Sequence, residues 1–263
     1  MDILSLIPEA ASEHGPQLRM ILLLVHGFIG VLFLGLFAVF LAALWRGRRP
    51  EGAPRSKSKI PYAAEAVIFA CELGLFLAVS MPFWQGQVDA APKPGDDPLV
   101  VRVVAQQFLW NVHYPGADGQ FGRADAALVD EQLNPLGLDK EDPAALDDVV
   151  LQNQLHLPLG RPVVVRLTSK DMVHSFAIPE MWVKRDAIPG MVTQVYFTPT
   201  ETTATLQERT GQPGRTFEIV CSQLCGLGHY QMRGFVTVEA PEAFSAWLAD
   251  KAPAVGGGDD FWN

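Results

Sequence analysis

Cys221-Ser222-Gln223-Leu224-Cys225-Gly226-Leu227-Gly228-His229-Tyr230-Gln231-Met232 gathers two thiols, an imidazole and a thioether into one short run. Thiolate and thioether donors favour copper(I), and imidazole suits copper in either oxidation state, so the set describes a site that cycles one electron. A mononuclear blue-copper site uses a single Cys, two His and a distant Met. The second Cys is surplus to one ion. Two bridging thiolates would hold two ions, each completed by one His and one weak axial ligand, and that count requires a second His from elsewhere. His174 supplies it, within Asp171-Met172-Val173-His174-Ser175-Phe176-Ala177-Ile178-Pro179, which reads as a short β segment stopping at a proline. Two other chemistries use part of the same set. A pair of Cys four residues apart in an exported domain also describes a disulfide, and Cys-x3-Cys-x3-His with a remote His describes tetrahedral zinc. Neither has a use for Met232.

Outward from these motifs the chain is β-rich. Residues 99–104, 162–168, 192–198, 216–220 and 234–238 read as short strands separated by Gly and Pro turns, the pattern of an all-β sandwich or barrel. Residues 241–251 read as a short amphipathic helix with Phe244 and Trp247 on one side. Residues 115–150 break the pattern with a Gly-, Pro- and Asp-rich insertion in which neither strand nor helix period is evident. Insertions of that length are often functional. Its carboxylates, among them Asp139, Glu141 and Asp142, face only Arg123 and Lys140 as basic residues. The net charge of −9 is concentrated in this outer region, which argues against nucleic acid and for a basic partner. His14 is expected to be solvated, and His113 and His156 to be surface or satisfied side chains. No Cys-x-x-Cys-His occurs, so the chain carries no c-type haem of its own.

Upstream lie two apolar runs. Residues 20–45 hold His26 as the sole ionisable side chain, and residues 60–84 are interrupted only by Glu65 and Glu72, whereas roughly 20 apolar residues span a bilayer core. Met1 to Pro16 lacks the basic start and the small-residue cleavage site of a signal peptide, so the first run reads as a retained helix. Arg46, Arg48, Arg49, Arg55, Lys57 and Lys59 between the runs fix the loop on the cytoplasmic side. Both termini and everything from about residue 85 onward then face the periplasm of a bacterial inner membrane. The domain plan is an outer segment 1–17, a transmembrane hairpin 18–84, a linker 85–98, a metal-binding domain 99–251 and a flexible tail 252–263. Cys71, within the second run, reads as a small apolar residue. Ionisable groups inside a membrane are functional candidates by default, which singles out Glu65 and Glu72. Glu72 calls for a partner or a proton, against another subunit.

The paired motifs resemble cytochrome c oxidase subunit II, whose members show D-x-x-H-S followed by C-S-x-x-C-G-x-x-H-x-x-M around a binuclear copper site, CuA. The resemblance implies His174, Cys221, Cys225, His229 and Met232 as side-chain ligands of two copper ions and Gln223 as a ligand through its backbone carbonyl. Most of the family has Glu at the Gln223 position, with its carboxylate on a magnesium ion at the boundary with the catalytic subunit. A carbonyl survives the change to Gln and a carboxylate does not, so copper carries over and magnesium is put in question. The implied fold is a two-helix transmembrane hairpin followed by a cupredoxin, a Greek-key β-barrel with its metal ligands in the loops at one end.

The implied function is electron relay: a cytochrome c, or a c-type haem domain, reduces the copper pair, and the electron passes to the haem-copper catalytic subunit, where dioxygen becomes water with proton translocation. Gln106-Gln107-Phe108-Leu109-Trp110 resembles the family's Q-W-x-W segment over the copper site. Phe108 replaces the first Trp, so Phe108 and Trp110 are the candidates for electron entry, Trp110 reading first as core packing. Counting back from Pro82, Glu65 matches the family's glutamate at the mouth of a proton path, although the family's nearby Trp is Ile68 here. Asp139, Glu141 and Asp142 are the candidates for docking the donor. Asp186-Ala187-Ile188-Pro189-Gly190 is a further family-like run, otherwise a turn after a strand. Quinol oxidases share the hairpin and barrel but lack the copper ligands. A nitric oxide reductase-type complex with the same copper site is separated only by its partner subunit, and a scaffold domain would hold no redox-active metal.

Overall fold

The computed structural model describes residues 7–47, 60–89, 91–93 and 96–251. Residues 16–91 make one compact unit, and the described parts of residues 1–15 and 92–263 make another.

The first unit is helical. α1 spans Gly15–Trp45, and α2 (Ile60–Leu75) runs through a π-helical turn at Phe76–Ser80 into α3 (Met81–Asp89). Two stretches are long and apolar enough to cross a membrane, with 31 residues in Gly15–Trp45 and 25 in Tyr62–Gly86. Their Val31, Leu34, Leu36 and Phe69 side chains are exposed. A helix satisfies its own backbone polar groups, the condition for surrounding such side chains with lipid. Pro16 lies in the first turn of α1, where a missing N–H leaves nothing unpaired. α1 therefore starts before the expected hairpin boundary at residue 18, and α3 carries the helical path beyond the boundary at 84. Glu65 and Glu72 are both exposed on α2, two turns apart and so near one face. Most of the basic loop expected to set orientation, residues 48–59, lies outside the described residues, as does the tail from 252.

The second unit is a sandwich of two five-stranded sheets. β1 (Leu99–Gln106), β2 (Leu109–Tyr114), β3 (Val149–Gln152), β5 (Val163–Ser169) and β8 (Thr193–Phe197) form one sheet in the order β3-β2-β1-β5-β8. β4 (Gln154–Pro158), β6 (His174–Ile178), β7 (Val183–Ala187), β9 (Phe217–Cys221) and β10 (Arg233–Glu239) form the other in the order β4-β10-β9-β6-β7. β1 runs parallel to β5 and β4 parallel to β10, while the remaining pairs are antiparallel. Side chains alternate across a strand, so Leu99, Val101, Val103 and Ala105 of β1 face Phe217, Ile219, Val236 and Val238 of the other sheet across one core. Each such Val, Leu, Ile or Phe side chain contributes about 1.5–3 kcal/mol when fully removed from water.

β2 departs from alternation because both its faces are covered. Trp110, Val112 and Tyr114 enter the core, yet Asn111 and His113 on the opposite face are also buried. The insertion lies over them. His113 Nε2 and the Gly122 N–H share Asp148 Oδ2, at 2.7 and 2.8 Å, and Phe121 sits edge-on to His113 at 4.9 Å beneath the Arg102 guanidinium. The insertion is thus ordered, contrary to the reading of it as structureless. Bridges Ala124↔Leu138 and Asp130↔Asn134 make it an antiparallel arm, and Ala126–Leu128 and Pro143–Ala145 form short 3-10 turns. Its aspartates build the turns: Asp125, Asp130, Asp139 and Asp142 each accept a backbone N–H two or three residues on. Its end also shifts, since Val149 and Val150 belong to β3.

Residues before α1 also join the sandwich. Ala11 donates to the Glu180 carbonyl, Glu13 to that of Thr198, and Thr200 donates back to Ala11, while the buried Ser12 hydroxyl donates to the Met181 carbonyl at 2.6 Å. His14, expected in solvent, is half-buried with Nε2 3.3 Å from the Trp182 carbonyl, and burial lowers its pKa. α4 spans Thr203–Thr210, and α5 (Pro241–Lys251) packs Phe244 and Trp247 on Tyr114. Trp247 stacks on His156 at 4.0 Å.

Candidate metal centre

Strand periodicity alone brings three donors to one end of the core. His174, Phe176 and Ile178 of β6 point the same way, as do Phe217, Ile219 and Cys221 of β9. The two strands are antiparallel with Phe176 opposite Cys221, so His174 lies on the diagonal toward the sheet's end. Met232 continues the inward row Gly234, Val236 and Val238 of β10, and its carbonyl accepts the Cys221 N–H. Cys225 and His229 come from the loop between β9 and β10. His174, Cys221, Cys225 and Met232 are buried, and His229 is half-buried.

The donor atoms sort into two overlapping sets. Cys221 Sγ and Cys225 Sγ stand 3.7 Å apart as free thiols. On one side are His174 Nδ1, 3.9 Å from Cys221 Sγ, and Met232 Sδ, 3.8 Å from Cys225 Sγ and 3.1 Å from His174 Nδ1. On the other are the Gln223 carbonyl, 3.2 Å from Cys221 Sγ, and His229 Nδ1, 3.5 Å from Cys225 Sγ. His174, Cys221 and Cys225 place their donors within 4.8 Å of one another. Burial, with the Cys221 thiol beside it, pushes the Cys225 thiol up to about 11. A cation bound at these thiols would have to drive their deprotonation and so release protons. The soft donors fit copper, and the thioether has no place among zinc's usual donors.

Neighbouring groups hold the ligands. Asp171 Oδ1 accepts from His174 Nε2 at 2.8 Å, which fixes the tautomer and leaves Nδ1 as the donor. Burial opposes ionisation of Asp171, but hydrogen bonds from His174 and from the Gln107 and Met172 backbones outweigh it and hold the carboxyl below its ordinary range. Phe108 seats its ring on the ligand loop: a Cβ at Gly228 would come within 2.5 Å of that ring, and one at Gly226 within 2.7 Å of Gln107 Nε2. Trp110 is fully buried, edge-on to Phe176 at 5.6 Å and to His174 at 6.2 Å. Around the donors Leu224, Leu227 and Tyr230 are exposed by 73%, 98% and 74%.

The insertion reaches this end of the sandwich. Glu131 at its tip accepts from Gln106 Nε2 at 2.6 Å and lies 3.4 Å from Lys170 Nζ. Of the docking candidates, Asp139 pairs with Arg123 at 2.6 Å and Asp142 accepts the Arg123 N–H at 2.7 Å. Glu65 belongs to the helical unit. The sequence placed Gln107 and Asp171 inside motifs without giving either a role, because no spacing rule brings residue 107 to residue 225.

A two-sheet sandwich that ends its core strands in a Cys, His and Met cluster, in a chain with membrane-competent helices before it, is a cupredoxin-like fold carrying a candidate metal site. The chain belongs to the cytochrome c oxidase subunit II family, whose periplasmic-domain model matches residues 99–239. It is 42% identical over 161 residues to the alternative cytochrome c oxidase subunit 2 of Bradyrhizobium diazoefficiens, covering 61% of this chain and 53% of that one. With cytochrome c oxidase subunit 2 of Thermostichus vulcanus it shares 28% over 225 residues, covering 82% and 55%. The chain thus spans about half the length of these relatives. Among solved structures, the periplasmic domain of subunit II of cytochrome oxidase from Bradyrhizobium japonicum is similar at 26% identity and a TM-score of 0.39, covering 58% of this chain and 92% of that one.

Proposed function

We propose that this chain is the electron-accepting subunit of a haem-copper oxidase, holding a binuclear CuA centre that a c-type cytochrome reduces and that passes electrons to the catalytic subunit reducing dioxygen to water. The observation that carries the reading is the division of six donors into two sets sharing the thiols of Cys221 and Cys225. His174 and Met232 would complete one set, His229 and the Gln223 carbonyl the other. Bound there, a copper pair supplies a one-electron couple whose charge is spread over two ions.

The chain's own residues supply the rest. Asp171 orients the His174 imidazole. Phe108 covers the Gly226 and Gly228 backbone, and its partial exposure on the ligand loop makes it the entry point, with Trp110 in the core. Gln223 offers no carboxylate, the donor that a hard cation prefers, which puts a magnesium ion at this position in question. Asp139, Glu141 and Asp142 steer a basic donor, Glu65 serves proton entry, and the basic loop keeps the sandwich on the periplasmic face of the inner membrane.

Purification of the intact chain from its membrane tests this reading. A haem-containing partner should come with it and oxidise a reduced c-type cytochrome, and Cys225→Ser should keep the partner but lose that oxidation. Undiminished oxidation in Cys225→Ser would overturn the proposal.

A further inference from the structure

We propose that Gln107 is the positioning residue that joins the two halves of the ligand set, an inference that rests on the copper reading. Gln107 lies in the turn between β1 and β2. Its backbone N–H donates to Asp171 Oδ2 at 2.7 Å, and the other oxygen of that carboxylate accepts from His174 Nε2 at 2.8 Å. Its side-chain amide donates to the Cys225 carbonyl at 2.7 Å and lies 3.2 Å from Met172 Sδ. One residue therefore holds both the carboxylate that orients His174 and the peptide that carries Cys225.

These ligands arrive on separate segments, His174 after the β5–β6 turn and Cys225 in the β9–β10 loop. Among the described residues, Gln107 alone is hydrogen-bonded to both Asp171 and Cys225. The loop is shaped to receive it. Gly226 has φ +123°, a conformation that other residues rarely adopt, and a Cβ there would meet Gln107 Nε2 at 2.7 Å. The amide thus fixes the Cys225 peptide before any metal enters, and fixes it relative to the group that sets the tautomer of His174. Outer groups of this kind tune metal sites through ligand orientation. The neighbouring Gln106 instead bonds Asn111 and Glu131, and so provides a control for glutamine loss in the same turn.

The test uses the intact chain, expressed alone and loaded with copper, as wild type, Gln106→Met, Gln107→Met and Gln107→Glu. Gln107→Met keeps the length and removes the donor, and Gln107→Glu sets an acceptor against the Cys225 carbonyl. In the copper-free chain, amide exchange at Gly226–Gly228 should be faster in both Gln107 variants than in wild type or Gln106→Met. In the loaded chain, loss of copper to a chelator should rise by about 10- to 100-fold, with Glu beyond Met. The unpaired electron, shared equally between the coppers in wild type, should become unequal. Wild-type exchange, retention and sharing in Gln107→Met, or the same shifts in Gln106→Met, would overturn the assignment. If wild type itself holds no copper pair while Gly226–Gly228 exchange still rises in Gln107→Met, the copper function fails and the joint between the loops stands.

Discussion

Met232 and Gln223 show how far single positions divide the work of the site. Met232 Sδ lies 3.1 Å from His174 Nδ1 on the buried side, where a thioether tunes a couple more than it anchors the ion. Met232→Leu should retain both coppers and shift the midpoint potential, read by a redox titration of the visible bands, and loss of copper would mean that the sulfur anchors. The Gln223 carbonyl lies 3.2 Å from Cys221 Sγ while its side chain is exposed, so Gln223→Ala should keep the copper spectrum that Cys225→Ser loses. At this scale the sequence was informative, because a run of soft donors has few uses and all six positions converge in space. Gln107 and Asp171 escaped it. Their roles depend on hydrogen bonds between segments far apart in the chain, which carry no local pattern.

Among the elements, β1, β5, β8, β9, β10 and α5 were legible from alternation or helical period, and β6 from its stop at Pro179. β7 was not, because Lys184, Arg185 and Asp186 fill its middle, and neither was β2 as a strand covered on both faces, since the cover is the insertion itself. α4 is rich in Thr and held by its ends, with the Thr202 hydroxyl accepting from Thr205 N–H and Gly211 closing the far end at φ +63°. The insertion misled because aspartates that staple turns look like solvated charge. α5 yields a pH prediction. Burial lowers the pKa of His156, outweighing Glu239 at 3.5 Å. The unfolded chain therefore takes up this proton first as pH falls, so the stability is full above about pH 6.5 and declines below it. The melting temperature should drop between about pH 7.5 and about pH 5.5, and by less in His156→Gln. An equal drop in the variant would assign the effect to other groups.

For the whole molecule, the proposed relay makes charge and membrane placement the quantities to test. An acidic outer domain should speed encounter with a basic donor, and salt should screen this within roughly 8 Å at physiological strength. The second-order rate of copper reduction should fall with ionic strength, with a shallower slope in Asp139→Asn, Glu141→Gln, Asp142→Asn. Glu141→Gln alone checks that any change comes from charge, because Asp139 and Asp142 also cap turns. An unchanged slope would remove the insertion from the docking surface and leave the apolar rim around Phe108. In the assembled oxidase, Glu65→Gln should slow turnover while reduction of copper by the donor stays at the wild-type rate, and equal slowing of both would point to assembly instead. The hairpin was plain in the sequence as apolar length, whereas the junction before it was not: Ala11 and Ser12 look like ordinary surface residues and are buried in the sandwich.

Electron relay by this chain requires two coppers held between the shared thiols of Cys221 and Cys225. Metal analysis and electron paramagnetic resonance of the intact, copper-loaded chain test it together. Two coppers per chain with one unpaired electron spread evenly over both are expected. A single copper, a single zinc, or a bond between Cys221 and Cys225 in the loaded protein would contradict it.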